Sequence, residues 1–503
     1  MFADLADRLA ALVSRHFTIV LAGIVAVAMF MAIFGRAGHD FSNDEPFTAL
    51  MLQNSSSDLR SVLVHDNIPL WYVLLRPWRA AFGDSKWGLR SLSLVLYALA
   101  IVVTAIAGRR AGGPVAGLLA AWLLATSARI GLRFAATARP YALLCALAAA
   151  ATAGYLLSLE AGKRRQIPSR LLAAGLVAIH LAGLFTQPLY FFFAAASAVG
   201  VLLVSPDRRG VVLAALPVIA VGLYVMLWWS MLIATFGLPT TSWMLRPGIT
   251  DVMAGYLALW GWRNGWMLAG ILLALMLVRG GTMKELSSPG WRFCLILSAV
   301  VIAGTAVASL AKPVYSAAST PNVILPALSI AVATALVRLG SARLTIVVSA
   351  LLFTSAAAYA VEGIRLPDPS PSAASLAAVA REVRCGDRVV AAGVAFAPAT
   401  WYARKTGWPA CVTIEGFPGE MSQHPGWFDA DSTYSRRMEF LAEARAIAAG
   451  LGSNGRLWVF AADRGAGTEA TQLLDDVPEL RIERRLPLRG TYFDHVRVYR
   501  RAD

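Results

Sequence analysis

The sequence predicts a polytopic α-helical membrane protein with a small α/β domain in its C-terminal part. Of its 503 residues 57% are hydrophobic and only 15% are charged, and the mean hydropathy is +0.61. A soluble globular chain of this length does not need so much apolar surface. The apolar excess lies in runs that recur between residues 17 and 361, and the chain becomes more polar after about residue 366. These two observations decide the fold class.

About eleven apolar runs are candidate transmembrane helices. The first, residues 17–35, carries no charge and is long enough to cross a hydrocarbon core of about 30 Å as a helix. A retained helix is favoured over a signal peptide, because no small-residue cleavage site follows it. The candidate spans are 17–35, 89–107, 112–128, 138–159, 171–187, 188–204, 211–236, 266–278, 292–310, 322–337 and 344–361.

The distribution of basic residues predicts the orientation of these helices. With the N-terminus inside, every inner segment holds at least two basic residues, for example Arg109-Arg110 and the cluster at 163–165. This is the positive-inside pattern, and it places the loop 36–88 and the C-terminal domain outside. The formal net charge of +15 is dispersed around the spans and not gathered into one stripe. Membrane lipids are therefore the expected partners, and nucleic acid is not.

The C-terminal part has the pattern of a small α/β domain. A linker rich in Pro and Ser opens it, and strand-like stretches follow at 388–393, 411–415, 457–461 and 496–499, with an amphipathic helix at 435–449. The expected domains are 1–365, which includes the outer loop 36–88, and 366–503. Cys385 and Cys411 both fall in the outward-facing domain, where an oxidising compartment favours a disulfide.

An acidic tripeptide, Asn43-Asp44-Glu45, follows the first span directly. A carboxylate pair at a membrane surface is suited to line an aqueous cavity in which a base is needed. The alternative is local, since Asn43 or Asp44 is also suited to cap a helix with Pro46 in its first turn. Both interpretations remain open from the sequence.

Arginines near a short outer loop are candidates for phosphate binding. Arg133 and Arg139 lie six residues apart, and the guanidinium fork matches phosphate oxygens. The alternative is contact with lipid headgroups, which we favour for Arg129. A lipid-linked phosphosugar would use such cations at the leaving phosphate and a carboxylate base such as Asp44 at the acceptor hydroxyl. The His-Asp pairs at 39–40 and 65–66 have no diagnostic metal spacing, so solvated loop charges are favoured there and a divalent cation stays an open alternative.

Three segments in order resemble a known family. They are NDEPFTALML (43–52), VHDNIPLWYVLLRPWRAAFGDSKWGLRSLSLVL (64–96) and FAATARPYALLCALAAAATAGYLL (134–157). The chain resembles the GT-C membrane glycosyltransferases of the protein-mannosyltransferase and aminoarabinose-transferase type, a glycosyltransferase family 39-like group. In that family an Asp-Glu pair follows the first span, an aromatic "PPL-YY" segment precedes the second, and an "EAR-YAL" segment opens a later one.

The resemblance implies an enzyme of the bacterial cytoplasmic (inner) membrane whose active site faces the periplasm. Such an enzyme moves a hexose or pentose from a polyprenyl-phosphate donor to lipid A or lipopolysaccharide, a cell-wall glycan or a protein, with inversion at the anomeric carbon. Asp44 matches the catalytic base, Glu45 its partner, and Arg139 the arginine of "EAR-YAL". Pro69 and Tyr72 match the "PPL-YY" segment, which lies near the donor phosphate.

The sequence also departs from the family pattern. Asn67 stands where a His or Lys usually precedes "PPL", so His65 is the candidate substitute as a phosphate ligand. The usual "R-Y-L-P" element near the last outer loop is replaced, and Lys312 and Tyr315 are the candidate replacements. Together with Arg133, these cations complete the expected phosphate site. The residues expected to line the donor and acceptor pocket are Asp66, Asn67, Pro69, Tyr72, Tyr141 and Tyr315.

Two other classes of function are weighed against a transferase. A transporter or flippase would use Asp44 and Glu45 as coupling groups, but no Asp or Glu occurs between Trp87 and Leu159, where a carrier usually places such groups. A non-catalytic envelope scaffold with a glycan-binding outer domain leaves the acidic pair without a role. No zinc spacing, P-loop or Gly-rich dinucleotide motif is present in the sequence, and no cofactor other than the open cation is expected.

Overall fold

The computed structural model describes residues 8, 11–36, 38–42, 44–53, 69–127, 131–160, 168–236, 246–278, 286–315, 320–368, 370–423, 436–452, 455–461, 467–490 and 493–502. The chain forms two compact units. The first unit comprises Met1–Ala37, Asn67–Gly83 and Trp87–Arg365, and the second comprises Gly38–Asp66, Asp84–Lys86 and Leu366–Asp503.

These units correct the domain bounds expected from the sequence. The outer loop 36–88 was expected to belong wholly to the transmembrane domain, but Gly38–Asp66 and Asp84–Lys86 fold with the C-terminal unit. The physical reason is burial, because this loop bonds to and packs against residues more than 300 positions later in the chain. A local sequence pattern cannot predict a contact between residues that lie so far apart in the chain.

The chain up to Arg365 is helical. Its helices are α1 (Phe17–Phe34), α2 (Glu45–Gln53), α3 (Pro69–Phe82), α4 (Lys86–Gly112), α5 (Pro114–Ala125), α6 (Tyr141–Glu160), α7 (Arg170–Thr186), α8 (Tyr190–Val204), α9 (Arg208–Phe236), α10 (Ile249–Leu257), α11 (Trp262–Val278), α12 (Pro289–Ala311), α13 (Leu325–Leu339) and α14 (Ala342–Arg365). Single helical turns lie at Arg133–Ala135, Ala258–Trp260 and Thr320–Val323. Among the helices α1 to α14, α2 lies in the second unit.

Six of the described helices are long and apolar enough to cross a membrane, namely α1, α4, α6, α9, α12 and α14. The bent pair α10 and α11 makes a seventh if it counts as one span, and α5, α7, α8 and α13 are shorter apolar helices. These apolar helices mark a multi-pass membrane protein. They fall on the apolar runs expected from the sequence, while the number of spans and their orientation stay predictions.

Small residues allow helices of the first unit to pack closely. A Cβ atom on Gly363 of α14 would lie 2.4 Å from the backbone of Gly35 at the end of α1, so neither position accepts a side chain without displacement. Polar pairs also join helices inside this unit. The Tyr155 hydroxyl of α6 and Nε2 of His180 on α7 are 2.8 Å apart, and both side chains are buried. Such pairs satisfy polar groups that hydrocarbon would leave unsolvated.

The second unit contains a five-stranded mixed sheet. Its elements after Arg365 are α15 (Ser372–Ala380), β1 (Arg388–Ala392), α16 (Phe396–Ala403), β2 (Ile414–Phe417), α17 (Arg437–Ala449), β3 (Arg456–Ala461), α18 (Gly467–Asp475), β4 (Leu480–Gly490) and β5 (Phe493–Arg501), with short turns at Gly393–Ala395 and Glu420–Gln423. The strand order is β2-β1-β3-β5-β4. The strands β2, β1 and β3 are parallel, and β5 and β4 add antiparallel.

Strand β4 is a strand that the sequence analysis did not expect. Its sequence, LRIERRLPLRG, is rich in arginine and contains Pro487, both of which are unusual in a central strand. The edge position explains this composition. Among the described strands β4 pairs with β5 alone, so the N–H groups on its other side have no neighbouring strand to bond. The other four strands overlap expected stretches, although β2 (Ile414–Phe417) shares only residues 414 and 415 with the expected 411–415. Cys385 and Cys411 form a disulfide with Cα atoms 5.5 Å apart, and it ties the turn before β1 to the segment before β2.

Candidate active site

The two carboxylates of the Asp44-Glu45 pair have different environments. The Glu45 side chain is fully buried and accepts a 3.0 Å hydrogen bond from the backbone N–H of Ser42. The backbone N–H of Glu45 donates to the Ser42 carbonyl at 3.2 Å. This is the return half of a capping box at the start of α2. Asp44 is only half-buried, so it is the carboxylate of the pair that reaches the surface of its unit.

Ser42 and Glu45 make the described hydrogen bonds at the start of α2, and a cap by Asn43 or Asp44 stays a prediction. Asn43 lies outside the described residues, and the Asp44 carbonyl accepts a hydrogen bond from the Thr48 hydroxyl at 3.1 Å. The spacing Ser42-x-x-Glu45 is the local signal that would have identified the cap.

The segment that carries Asp44 is held by helix α16 of the same unit. The backbone N–H of Phe41 donates a 2.6 Å hydrogen bond to the Tyr402 hydroxyl, and the rings of Phe41 and Trp401 are 5.4 Å apart. Further along, Phe47 and Leu50 of α2 pack with Ala397 in a separate buried cluster. Contacts of this kind place the start of α2 relative to α16.

Asp40 provides the polar part of the same attachment. Its carboxylate accepts hydrogen bonds from Lys86 Nζ at 2.7 Å and from the backbone N–H of Ala373 at 2.8 Å. Its own backbone N–H donates to Asp368 at 2.6 Å. The expectation that Asp40 is a solvated loop charge is wrong, because its side chain is only 11% exposed and is engaged from two sides.

In the first unit, Arg139 lies in a tight turn before α6. Its side chain is 9% exposed, and its backbone N–H donates to the Thr137 carbonyl at 2.8 Å. The Ser93 hydroxyl of α4 donates to the same Thr137 carbonyl at 2.7 Å, and the Thr137 hydroxyl donates to the carbonyl of the half-buried Arg133 at 2.7 Å. The turn thus gives Arg139 a fixed backbone in a largely dehydrated setting.

Arg90 is a second buried arginine of this region, and the sequence analysis missed it. It lies on α4 one helical turn before Ser93, is fully buried, and has its guanidinium 5.6 Å from the centre of the Trp87 ring. The sequence did contain a signal for Arg90, because a charged arginine within an apolar run is unusual and suggests a functional role. Because both arginines are buried and remain charged, each requires an anionic or polar environment.

Asn322 joins the start of α6 to the turn before α13. Its side-chain N–H donates to the Tyr141 carbonyl at 2.6 Å, and Asn322 is 1% exposed. The Tyr141 ring lies 4.1 Å from that of Phe134, centre to centre. The expected pocket residue Tyr141 therefore lies next to the Arg139 turn, and its carbonyl is bonded by the turn that precedes α13.

The other expected site residues differ in their burial and in whether the structure describes them. Tyr315 is buried and its hydroxyl donates to the Val252 carbonyl at 3.2 Å; burial raises the pKa of Tyr315. Lys312 ends α12 and its side chain is exposed. Pro69 and Tyr72 are buried on α3. His65, Asp66 and Asn67 lie outside the described residues.

Within the part of the chain that the structure describes, no group of three or more His, Cys, Asp or Glu side chains is arranged to hold a metal ion. Two of the described acids near the start of α2 already have partners, since Asp40 pairs with Lys86 and Glu45 accepts from the Ser42 N–H.

The chain is similar in fold to solved structures of GT-C superfamily membrane glycosyltransferases. Two solved structures similar to this chain are of ArnT, an aminoarabinose transferase, from Cupriavidus metallidurans. The structure bound to undecaprenyl phosphate has a TM-score of 0.62 at 13% identity, with 96% of this chain and 97% of that chain covered. The apo structure gives a TM-score of 0.61 at the same identity and coverage.

A more distant similarity is to the apo oligosaccharyltransferase of Archaeoglobus fulgidus. Its TM-score is 0.51 at 11% identity, with 97% of this chain and 74% of that chain covered. No protein-family profile matches the chain, and no curated protein matches it in sequence. At these identities the structural similarities establish the fold.

Proposed function

We propose that this protein is an inverting glycosyltransferase that moves one sugar from a polyprenyl-phosphate donor to an envelope acceptor. The observation that carries the proposal is the environment of Asp44, a half-buried carboxylate at the start of α2 whose neighbour Glu45 is used as a cap. The GT-C fold extends over nearly the whole chain, and one similar structure is of ArnT bound to undecaprenyl phosphate. The proposed location is the bacterial cytoplasmic membrane, with the reaction on the periplasmic face.

In the proposed reaction Asp44 acts as the general base. It takes the proton of an acceptor hydroxyl as that oxygen attacks the anomeric carbon. The bond between this carbon and the phosphate oxygen breaks on the opposite side, and both bonding electrons leave with the phosphate. The products are the glycosylated acceptor and a polyprenyl phosphate with one more negative charge than the donor had.

Buried cations are proposed to stabilise the additional negative charge on the leaving phosphate. Arg139 is the proposed first ligand of the leaving phosphate, and the fully buried Arg90 is proposed as a second ligand. A guanidinium in a dehydrated site stabilises developing negative charge more strongly than one in water. Arg133, His65 and Lys312 are the further proposed phosphate ligands. The proposed pocket residues remain Asp66, Asn67, Pro69, Tyr72, Tyr141 and Tyr315.

Mass spectrometry of envelope glycolipids and glycans tests the function. Cells lacking the gene are compared with cells complemented by the wild type, by Asp44→Asn, or by Asp476→Asn. Asp476 is an exposed carboxylate of the same unit that pairs with Arg437, so it controls for loss of one charge. We expect one sugar mass to disappear on deletion and to return with the wild type and Asp476→Asn only. Restoration by Asp44→Asn would refute the assignment of the base.

A further inference from the structure

Helix α16 begins at a position where α/β sheets commonly bind ligands. Strand β1 pairs in parallel with β2 on one side and with β3 on the other. The chain leaves the carboxyl end of β1 through the turn Gly393–Ala395 and enters α16 at once. The carboxyl ends of strands at such a switch in strand order usually form a binding crevice. Here α16 instead contacts α2, the helix that Asp44 precedes.

The contacts between α16 and the α2 segment are specific. Phe41 is fully buried, its ring lies against Trp401, and its backbone N–H has the Tyr402 hydroxyl as an acceptor at 2.6 Å. Trp401 also makes a cation-π contact, because Lys405 Nζ lies 4.1 Å from the centre of its ring. Lys405 also donates to the Asp84 carbonyl at 2.9 Å.

The linker before α15 holds the Asp40 end of the segment that leads into α2. Asp368 accepts from the backbone N–H of Asp40 at 2.6 Å and from that of Ser370 at 2.9 Å. The Asp40 carboxylate in turn accepts from the N–H of Ala373. The segment from Asp40 to Leu50 is therefore held at three successive places, by the linker, by Tyr402 and Trp401, and by Ala397.

We infer that the C-terminal α/β unit is a part of the catalytic apparatus that positions Asp44, with Tyr402 as the principal positioning residue. This inference rests on the proposed function for its kinetic consequence. A base must lie within hydrogen-bond reach of the proton that it removes, so a segment that opens more often presents Asp44 correctly less often. Positioning of this kind should affect turnover and leave donor affinity unchanged, because Tyr402 acts through the Asp44 segment and is not a proposed donor ligand.

The test uses the full chain with Tyr402→Phe and, as a matched control, Tyr499→Phe. Tyr499 is also buried in this unit, and its hydroxyl donates to Asp475 at 2.7 Å. Each variant removes one buried hydroxyl together with its hydrogen bonding, but only Tyr402→Phe removes the acceptor of the buried Phe41 N–H. Amide hydrogen exchange of residues 41–50 is measured together with kcat and the donor KM.

We expect Tyr402→Phe to increase amide exchange in residues 41–50 about tenfold and to lower kcat about tenfold, with the donor KM unchanged. Tyr499→Phe should leave both quantities at their wild-type values. Unchanged exchange at 41–50 in Tyr402→Phe, or an equal fall of kcat in both variants, would overturn the inference. If the wild type transfers no sugar, the proposed function fails, while the exchange measurement still decides whether Tyr402 holds the segment.

Discussion

The Glu45 carboxylate accepts its hydrogen bond from the backbone N–H of Ser42, three residues earlier in the chain. This contact uses Glu45 to begin α2 and leaves Asp44, its neighbour, on the more exposed side of the turn. Two adjacent carboxylates of similar chemistry thus acquire different positions from one local hydrogen bond. Substitutions at Asp44 and at Glu45 are therefore expected to have different effects.

Substitutions at Glu45 should separate capping from catalysis. Gln at this position keeps the capping box, so Glu45→Gln should retain turnover within about threefold of the wild type. Glu45→Ala removes the cap and should lower the free energy of unfolding by about 1 kcal/mol. Sugar transfer and thermal unfolding of the purified variants provide both measurements. Loss of transfer in Glu45→Gln would show that the charge of Glu45 takes part in the reaction.

Asp44→Asn should lower kcat about 10²- to 10⁴-fold, the usual contribution of a general base, without unfolding the chain. Single-turnover transfer from a polyprenyl-phosphate sugar measures the effect. Asp476→Asn serves as the control, and unfolding midpoints should agree among all three proteins. Turnover of Asp44→Asn near that of the wild type would exclude Asp44 as the base.

Arg139→Ala should weaken donor binding more than acceptor binding. A charge-assisted contact to phosphate contributes about 1.5–3 kcal/mol, so the donor KM should rise about 10- to 100-fold. Arg292→Ala is the control, since Arg292 is an exposed arginine on α12 and has no proposed role. An unchanged donor KM in Arg139→Ala would return this residue to a purely structural or lipid-contacting role.

Removal of the Cys385–Cys411 disulfide should destabilise the second unit. The bridge joins residues 26 positions apart, and a loop of this size corresponds to about 3 kcal/mol of stabilisation. Cys385→Ser combined with Cys411→Ser should lower the unfolding midpoint of this unit, and reduction of the wild type should have the same effect. Cys145→Ser, at a free buried cysteine of the first unit, controls for thiol loss. An unchanged midpoint in the double variant would contradict the expectation.

The pH dependence of stability should report the pair Asp387 and Arg456. Burial opposes ionisation of Asp387, but hydrogen bonds from Arg456 at 2.7 Å, from the Arg384 backbone and from Trp458 outweigh it and lower the pKa of this carboxyl. A lowered pKa stabilises the fold above the unfolded value of about 3.9, and the contribution is lost as the pH falls through the folded value.

Asp387→Asn should therefore be less stable than the wild type at pH 7, and the difference should shrink progressively below about pH 4. Thermal midpoints of the full chain in detergent, measured at pH 7, 5 and 3, provide the test, with Asp476→Asn as an exposed control. A difference that stays constant over this range would show that the Asp387 carboxylate is not the titrating group.

The sequence anticipated the features that depend on local pattern. The membrane helices follow from apolar runs, and β1, β2, β3 and β5 follow from short apolar stretches between turn residues. Strand β4 was missed because an edge strand tolerates charge and proline. Arg90 was missed because it lies within a run that was considered only for its hydropathy.

The attachment of the Asp44 segment was beyond local pattern. Phe41 and Tyr402 are 361 positions apart, and nothing in either neighbourhood indicates the other. The same holds for Asp40 and Asp368, which are separated by 328 positions. A contact of this kind depends on how the chain folds back and not on periodicity, so the loop was assigned to the wrong unit.

The sequence by itself determined that this chain enters a membrane as several helices. In hydrocarbon every backbone polar group must be satisfied within its own segment, so apolar runs of sufficient length form helices whatever surrounds them. Only the tertiary structure decided which carboxylate of the pair is buried and what holds the Asp44 segment. Glu45 has a local hydrogen-bond partner in Ser42, but its burial and the contact of Phe41 with Tyr402, 361 positions later, arise only when the unit folds.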